Sequence, residues 1–118
     1  KSVLILDDDS DLCSVMKELF LALGASKCLS VTSFVDLQGK ADEALRCDIA
    51  LLDVHLGASR PSGIDAYEWL ISAGFAGKVV FFTGHARSHP LLQKTLQYEG
   101  VRIIEKPAPI GVLQELLQ

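Results

Sequence analysis

The sequence predicts an α/β fold, a single mostly parallel sheet of five strands with about five helices distributed over both faces. Two features carry this expectation. Short unbroken apolar runs, which a strand covered on both sides requires, alternate with stretches whose apolar residues recur at helical spacing. The length of 118 residues holds one such domain, and a chain of that size buries about two-thirds of its unfolded surface.

Val3-Leu4-Ile5-Leu6 is the first strand, ended abruptly by Asp7-Asp8-Asp9. From Ser10 onward Leu12, Val15, Met16, Leu19, Phe20 and Leu23 draw one helical stripe, and Gly24 supplies the stop. A second strand covers Lys27 to Val31, and a helical segment runs from Ser33 to Leu45 with Gly39 weakening its middle. Ile49-Ala50-Leu51-Leu52 is a third buried strand ending at Asp53, followed by a loop rich in Gly, Ser and Pro. The next helix spans Ser62 to Gly74, with Ile64, Tyr67, Leu70 and Ile71 on its inner face. Lys78 to Phe82 is the fourth strand, ending at Thr83. Pro90 then suits the first turn of a helix bearing Leu91, Leu92 and Leu96 and closed by Gly100. Arg102-Ile103-Ile104 is a short fifth strand, and Pro109 opens a last helix striped by Val112, Leu113, Leu116 and Leu117. Residues 1–118 thus read as one domain whose last helix is truncated, a reading that leaves room for additional modules outside them.

Eleven Lys and Arg against fifteen Asp and Glu give a net charge of −4, the wrong sign for gripping a phosphate backbone, so direct nucleic-acid binding is not expected. Cys13, Cys28 and Cys47 are odd in number and lack C-x-x-C spacing, which argues against a disulfide scaffold and a structural zinc site. Reduced, mostly buried thiols in a cytoplasmic protein are the expectation. The apolar runs are too short to span a bilayer, and the N-terminus carries no signal-type core, so no membrane association is expected.

In doubly wound sheets ligands sit outside the carboxyl ends of the strands. Those positions here are Asp7 and Asp8, Asp53, Thr83 and Lys106. Singly, each has an ordinary reading: an acidic cluster at a helix N-terminus, a turn residue, a strand end, a surface lysine. Jointly they point to chemistry. Carboxylates converging on one rim raise one another's pKa unless a counter-charge is present, and Mg²⁺, which takes oxygen ligands and retains water, supplies one. A strand-end Asp can then act as a nucleophile and form an aspartyl phosphate, with the metal, Lys106 and the Thr83 hydroxyl around the transferred oxygens.

The segments VLILDDDS, IALLDVHL, VVFFTGHA and IIEKPAPI resemble the receiver domain of two-component response regulators, and the resemblance covers essentially the whole chain. It implies the flavodoxin-like fold with strand order 2-1-3-4-5. It further implies that Asp53 is the phosphoacceptor and that Asp8 ligates Mg²⁺ directly. Asp7 would do so through water, and the backbone carbonyl of His55 would complete the metal site. Asp9 is the third member of an acidic triplet in which the family's pair normally comes first. Thr83 and Lys106 would bind the phosphoryl group, with a cis peptide at Lys106-Pro107 aiming the lysine.

The implied function is a signalling switch that catalyses its own phosphorylation and dephosphorylation and is not a stand-alone metabolic enzyme. Its expected partners are a histidine kinase or phosphotransfer protein and a downstream output partner or fused domain, with a homodimer among the allowed assemblies. Lys94, Tyr98 and Arg102 fall on or near the readout face that the resemblance implies. There are departures. Ile103 stands where many receivers place an aromatic switch, the loop Gly57 to Ser62 is longer than the common form, and His55 and His85 border the expected phosphoryl site. A phosphorylation-independent docking domain is the alternative that these departures keep open. An aspartyl-phosphate phosphohydrolase is disfavoured by order, since the acidic cluster here precedes the acceptor, and a flavin carrier by the lack of a Ser/Thr and Gly-rich phosphate cradle.

Overall fold

The computed structural model describes residues 1–53, 63–83, 102–105 and 109–118. Its strands are β1 (Ser2–Leu6), β2 (Lys27–Val31), β3 (Ile49–Asp53), β4 (Lys78–Thr83) and β5 (Arg102–Glu105). They form one sheet in the order β2-β1-β3-β4-β5, and every neighbouring pair is parallel. The chain moves from β1 outward to β2 and then returns to the other side of β1 at β3, so the winding reverses between β1 and β3. That reversal opens a crevice at the carboxyl ends of these two strands.

Side chains alternate across the sheet and separate two cores. Val3, Ile5, Ile49, Leu51, Val80, Phe82 and Ile104 meet Cys13, Met16 and Phe20 of α1 (Ser10–Ala22) together with Leu113 and Leu116 of α5 (Ile110–Leu116). On the opposite face Leu4, Leu6, Ala50, Leu52, Val79 and Phe81 meet the other helices described. These are α2 (Phe34–Gly39), α3 (Ala41–Leu45) and α4 (Gly63–Ser72), which contribute Leu37, Ala44, Ile64, Ala66 and Leu70. Strands buried on both faces explain the unbroken apolar runs.

The segment from Ser33 to Leu45 is not one helix. Ser33 caps α2 by accepting the Asp36 N–H at 3.0 Å, α2 ends at Gly39, and Lys40 leaves helical geometry (φ −115°, ψ 28°) before α3 begins. Two positions assigned to inner faces turn outward: Val15 is 53% exposed and Ile71 is 49% exposed. Each neighbours a core residue, Met16 or Leu70, and one residue rotates a helix by about 100°, which carries it off the buried stripe. Cys13 and Ala66 fill those stripes instead. The end of α1 is set by Gly24, whose φ of +110° lets its N–H reach Leu21 O while the Ala25 N–H reaches Phe20 O.

Candidate functional site

The acidic rim follows from strand alternation. Val3 and Ile5 face α1, as do Ile49 and Leu51, so Asp7 and Asp53 continue the same parity on adjacent strands. Leu6 pairs with Leu52, which sets Asp7 beside Asp53 one step further on. The Asp7 N–H extends the sheet by donating to Val31 O at 3.1 Å. Asp7 and Asp53 are buried, at 2% and 5% exposure, while Asp8 is exposed at the mouth.

One carboxylate oxygen from each of Asp7, Asp8 and Asp53 lies within 4.8 Å of the others. Oxygens around a single Mg²⁺ at about 2.1 Å stand about 3–4 Å apart, so small side-chain adjustments bring this set onto one ion. Every donor is a hard oxygen, and the exposed Asp8 leaves room for waters. The residues present therefore fit a divalent cation that prefers oxygen, whose charge would offset three carboxylates gathered in a largely buried place.

Asp9 does something different. Its carboxylate accepts the Leu12 N–H at 3.1 Å as the N-cap of α1, and its own N–H donates to Asp7 Oδ1 at 3.0 Å. The third acidic residue of the triplet starts the helix and holds its neighbour. The spacing that shows this, an Asp three residues before Leu12, was present in the sequence. Nothing in the sequence marked a second contact, the Cys13 thiol donating to Asp7 O at 3.4 Å.

Thr83 is the last residue of β4, one step beyond Phe82, which pairs with Asp53; its backbone pairs with Glu105. Only its backbone is described. His55, Lys106 and the Lys106-Pro107 peptide lie outside the described residues, as do the loop Gly57 to Ser62, the helix expected from Pro90, His85, Lys94 and Tyr98. Ile103 is half-buried and packs against the face covered by α2, α3 and α4. All three cysteines are buried and unbridged. Burial pushes the Cys28 thiol up to about 11 against the pull of Lys17, with Cys47 and Cys13 raising it further, and burial also raises Cys47. Among the described residues no helix is long and apolar enough to cross a membrane.

Fold and rim together define the class: a flavodoxin-like α/β domain with an acidic crevice at its topological switch point. The chain belongs to the response regulator receiver domain family, whose sequence pattern it matches over residues 3–118. It is thus a receiver domain of two-component signalling. Solved structures agree in fold. A response regulator receiver domain protein from Clostridium thermocellum superposes with a TM-score of 0.80 at 20% identity, over 98% of this chain and 90% of that one. A CheY-like receiver domain protein from Methanospirillum hungatei gives 0.80 at 22% identity, over 99% and 90%. NtrX from Brucella abortus gives 0.81 at 18% identity, over 98% of this chain but only 25% of that one. No protein of curated function matches the chain.

Proposed function

We propose that this receiver is a phosphorylation switch in which Asp53 takes a phosphoryl group from the phosphohistidine of a histidine kinase or phosphotransfer protein. The observation that carries it is the convergence of Asp7, Asp8 and Asp53 at the carboxyl ends of β1 and β3 in a chain of this family. A carboxylate oxygen of Asp53 attacks phosphorus, and the new P–O bond forms as the P–N bond to imidazole breaks. The electron pair stays on the departing nitrogen, which then takes up a proton. Dephosphorylation is attack by water on phosphorus, which returns the carboxylate and releases inorganic phosphate.

Asp8 and Asp53 would hold Mg²⁺ directly with the His55 carbonyl, and Asp7 would hold it through water. When bound, Mg²⁺ neutralises charge on the phosphoryl oxygens. The burial of Asp53 keeps bulk water from most of its surface, and Asp7, fixed by Asp9, orients the ligand water. Thr83 would donate its hydroxyl to a phosphoryl oxygen, and Lys106 would pair with another. The modified state then biases a two-state equilibrium read in the cytoplasm by an output partner or by a module of the same polypeptide.

The test is the intact mass of wild type and Asp53→Asn after incubation with a small phosphodonor, acetyl phosphate, with Mg²⁺ or with chelator. One hydroxylamine-labile adduct on the wild type only, lost with chelator, is the expected result. Full modification of Asp53→Asn would overturn the acceptor assignment. Ile103, non-aromatic where many receivers place an aromatic switch, keeps open the second reading, a phosphorylation-independent docking domain, and absence of an adduct even with a kinase donor would support it.

A further inference from the structure

We infer that Cys13 is a positioning residue for the acidic rim, an inference that rests on the metal-binding reading above. Cys13 is 2% exposed and lies in the first turns of α1, its side chain in the core beneath the rim. It makes two contacts with the arm that carries Asp8. Its backbone N–H donates to Asp9 O at 3.0 Å, and its thiol donates to Asp7 O at 3.4 Å. The carbonyls on either side of Asp8 are therefore tied to one residue of a helix that is itself packed on the sheet.

Two further hydrogen bonds belong to the clamp. Asp7 N–H is fixed to Val31 O on β2, and Asp7 Oδ1 accepts the Asp9 N–H. Asp8 is the exposed member of the cluster, with the fewest packing restraints of its own, so the direction of its carboxylate depends on the backbone at Asp7 and Asp9. The thiol contact can be removed by a side-chain substitution that leaves every backbone donor and every carboxylate of the cluster in place. Partners that hydrogen-bond metal ligands directly change affinity by about 10- to 100-fold; the thiol is a weak donor and acts on a backbone carbonyl, so a smaller effect is expected.

The test is Mn²⁺ binding, read as loss of the free-ion electron paramagnetic resonance signal, on wild type, Cys13→Val, Cys13→Ala and Cys13→Ser, with Mg²⁺ as competitor. Thermal melts identify the folded variants. Val fills the site with a slightly larger apolar group and no donor, Ala leaves it underfilled with no donor, and Ser restores a donor in a smaller side chain. Cys13→Val and Cys13→Ala should weaken Mn²⁺ binding by about threefold to tenfold, with Cys13→Ser closer to wild type. Val and Ala variants that are folded and bind as tightly as wild type would overturn the inference, as would a Ser variant no better than Val. Wild type that does not bind Mn²⁺ would overturn the reading of the rim and this inference with it, an outcome distinct from wild-type binding with unmoved variants.

Discussion

Asp7, Asp8 and Asp9 are adjacent and chemically identical, yet the fold gives them different work. Asp9 caps α1, so Asp9→Ala should cost about 0.5–2 kcal/mol in a urea titration, the usual range for losing such a cap. Its effect on Mn²⁺ affinity should be far smaller than that of Asp8→Ala, which removes the exposed carboxylate of the proposed metal site and should leave stability nearly unchanged. Equal losses of metal affinity in the two variants would contradict this division. The residue scale is also where the sequence was least legible. Strand ends marked Asp7, Asp8 and Asp53 because alternation and register follow from the apolar pattern. The thiol contact of Cys13 depends on how α1 settles on the sheet, which no local pattern records. For Cys28, the raised folded value, near 11, means the neutral thiol is the form the fold accommodates. That contribution is fully present below the unfolded thiol value and is lost as pH rises toward 11. Native-state alkylation at Cys28, followed by peptide mass analysis, should accordingly stay slow at mildly alkaline pH and become fast on unfolding.

Elements join through a few backbone anchors, and their weak points lie in the glycines. Gly39 ends α2 with a backbone that an L-residue can adopt, and an added Cβ there meets nothing within 4 Å. Gly39→Ala should therefore stabilise by about 0.5–1 kcal/mol, by reducing the freedom of the unfolded chain. Gly24→Ala should destabilise by about 1 kcal/mol or more, because its φ of +110° strains any L-residue whatever the space around it. Paired urea titrations decide both signs. The sequence pattern shows helix from Ser33 to Leu45 with Gly39 weakening its middle, but not that the weakness becomes a full break at Lys40, after which ADEAL, mostly strong helix formers, resumes the helix with Ala44 buried. At the opposite end of the sheet from the rim, Asp48 links the starts of β1 and β3. It accepts the Ser2 N–H at 2.8 Å and the Ser2 hydroxyl at 3.2 Å, and returns its own N–H to Ser2 O. The Ser2 backbone bond first, and then its hydroxyl, hold the Asp48 carboxyl below the usual range. A lowered folded value gives stability that is present above the ordinary carboxylate pKa and is lost as pH falls through the folded value. Asp48→Asn should thus flatten the acid limb of the stability curve.

At the scale of the whole molecule, the acidic rim gathers like charges at a cost in stability. The parallel order and two-sided burial were readable from alternating apolar runs, and the place of the rim followed from the switch point that such a topology creates. The same topology brings three carboxylates together, two of them buried, where like charges repel with little water to screen them. Removing one of the two buried charges should therefore stabilise the metal-free protein, whereas the exposed Asp8 is screened by water. In chelator, Asp53→Asn should melt above wild type, by an amount on the order of 1 kcal/mol in the underlying stability. Millimolar Mg²⁺ should then raise the wild-type midpoint, since a ligand that binds only the folded state stabilises in proportion to RT ln(1 + [L]/Kd). The gain in Asp53→Asn should be smaller, because a neutral amide is a poorer ligand for a hard cation, so Mg²⁺ narrows or reverses the gap between the two proteins. Calorimetric melts of both in chelator and in Mg²⁺ give the comparison directly. A variant that melts below wild type in chelator would mean that the interactions lost with the Asp53 carboxylate outweigh its repulsion, and that the rim is held together without help from a cation.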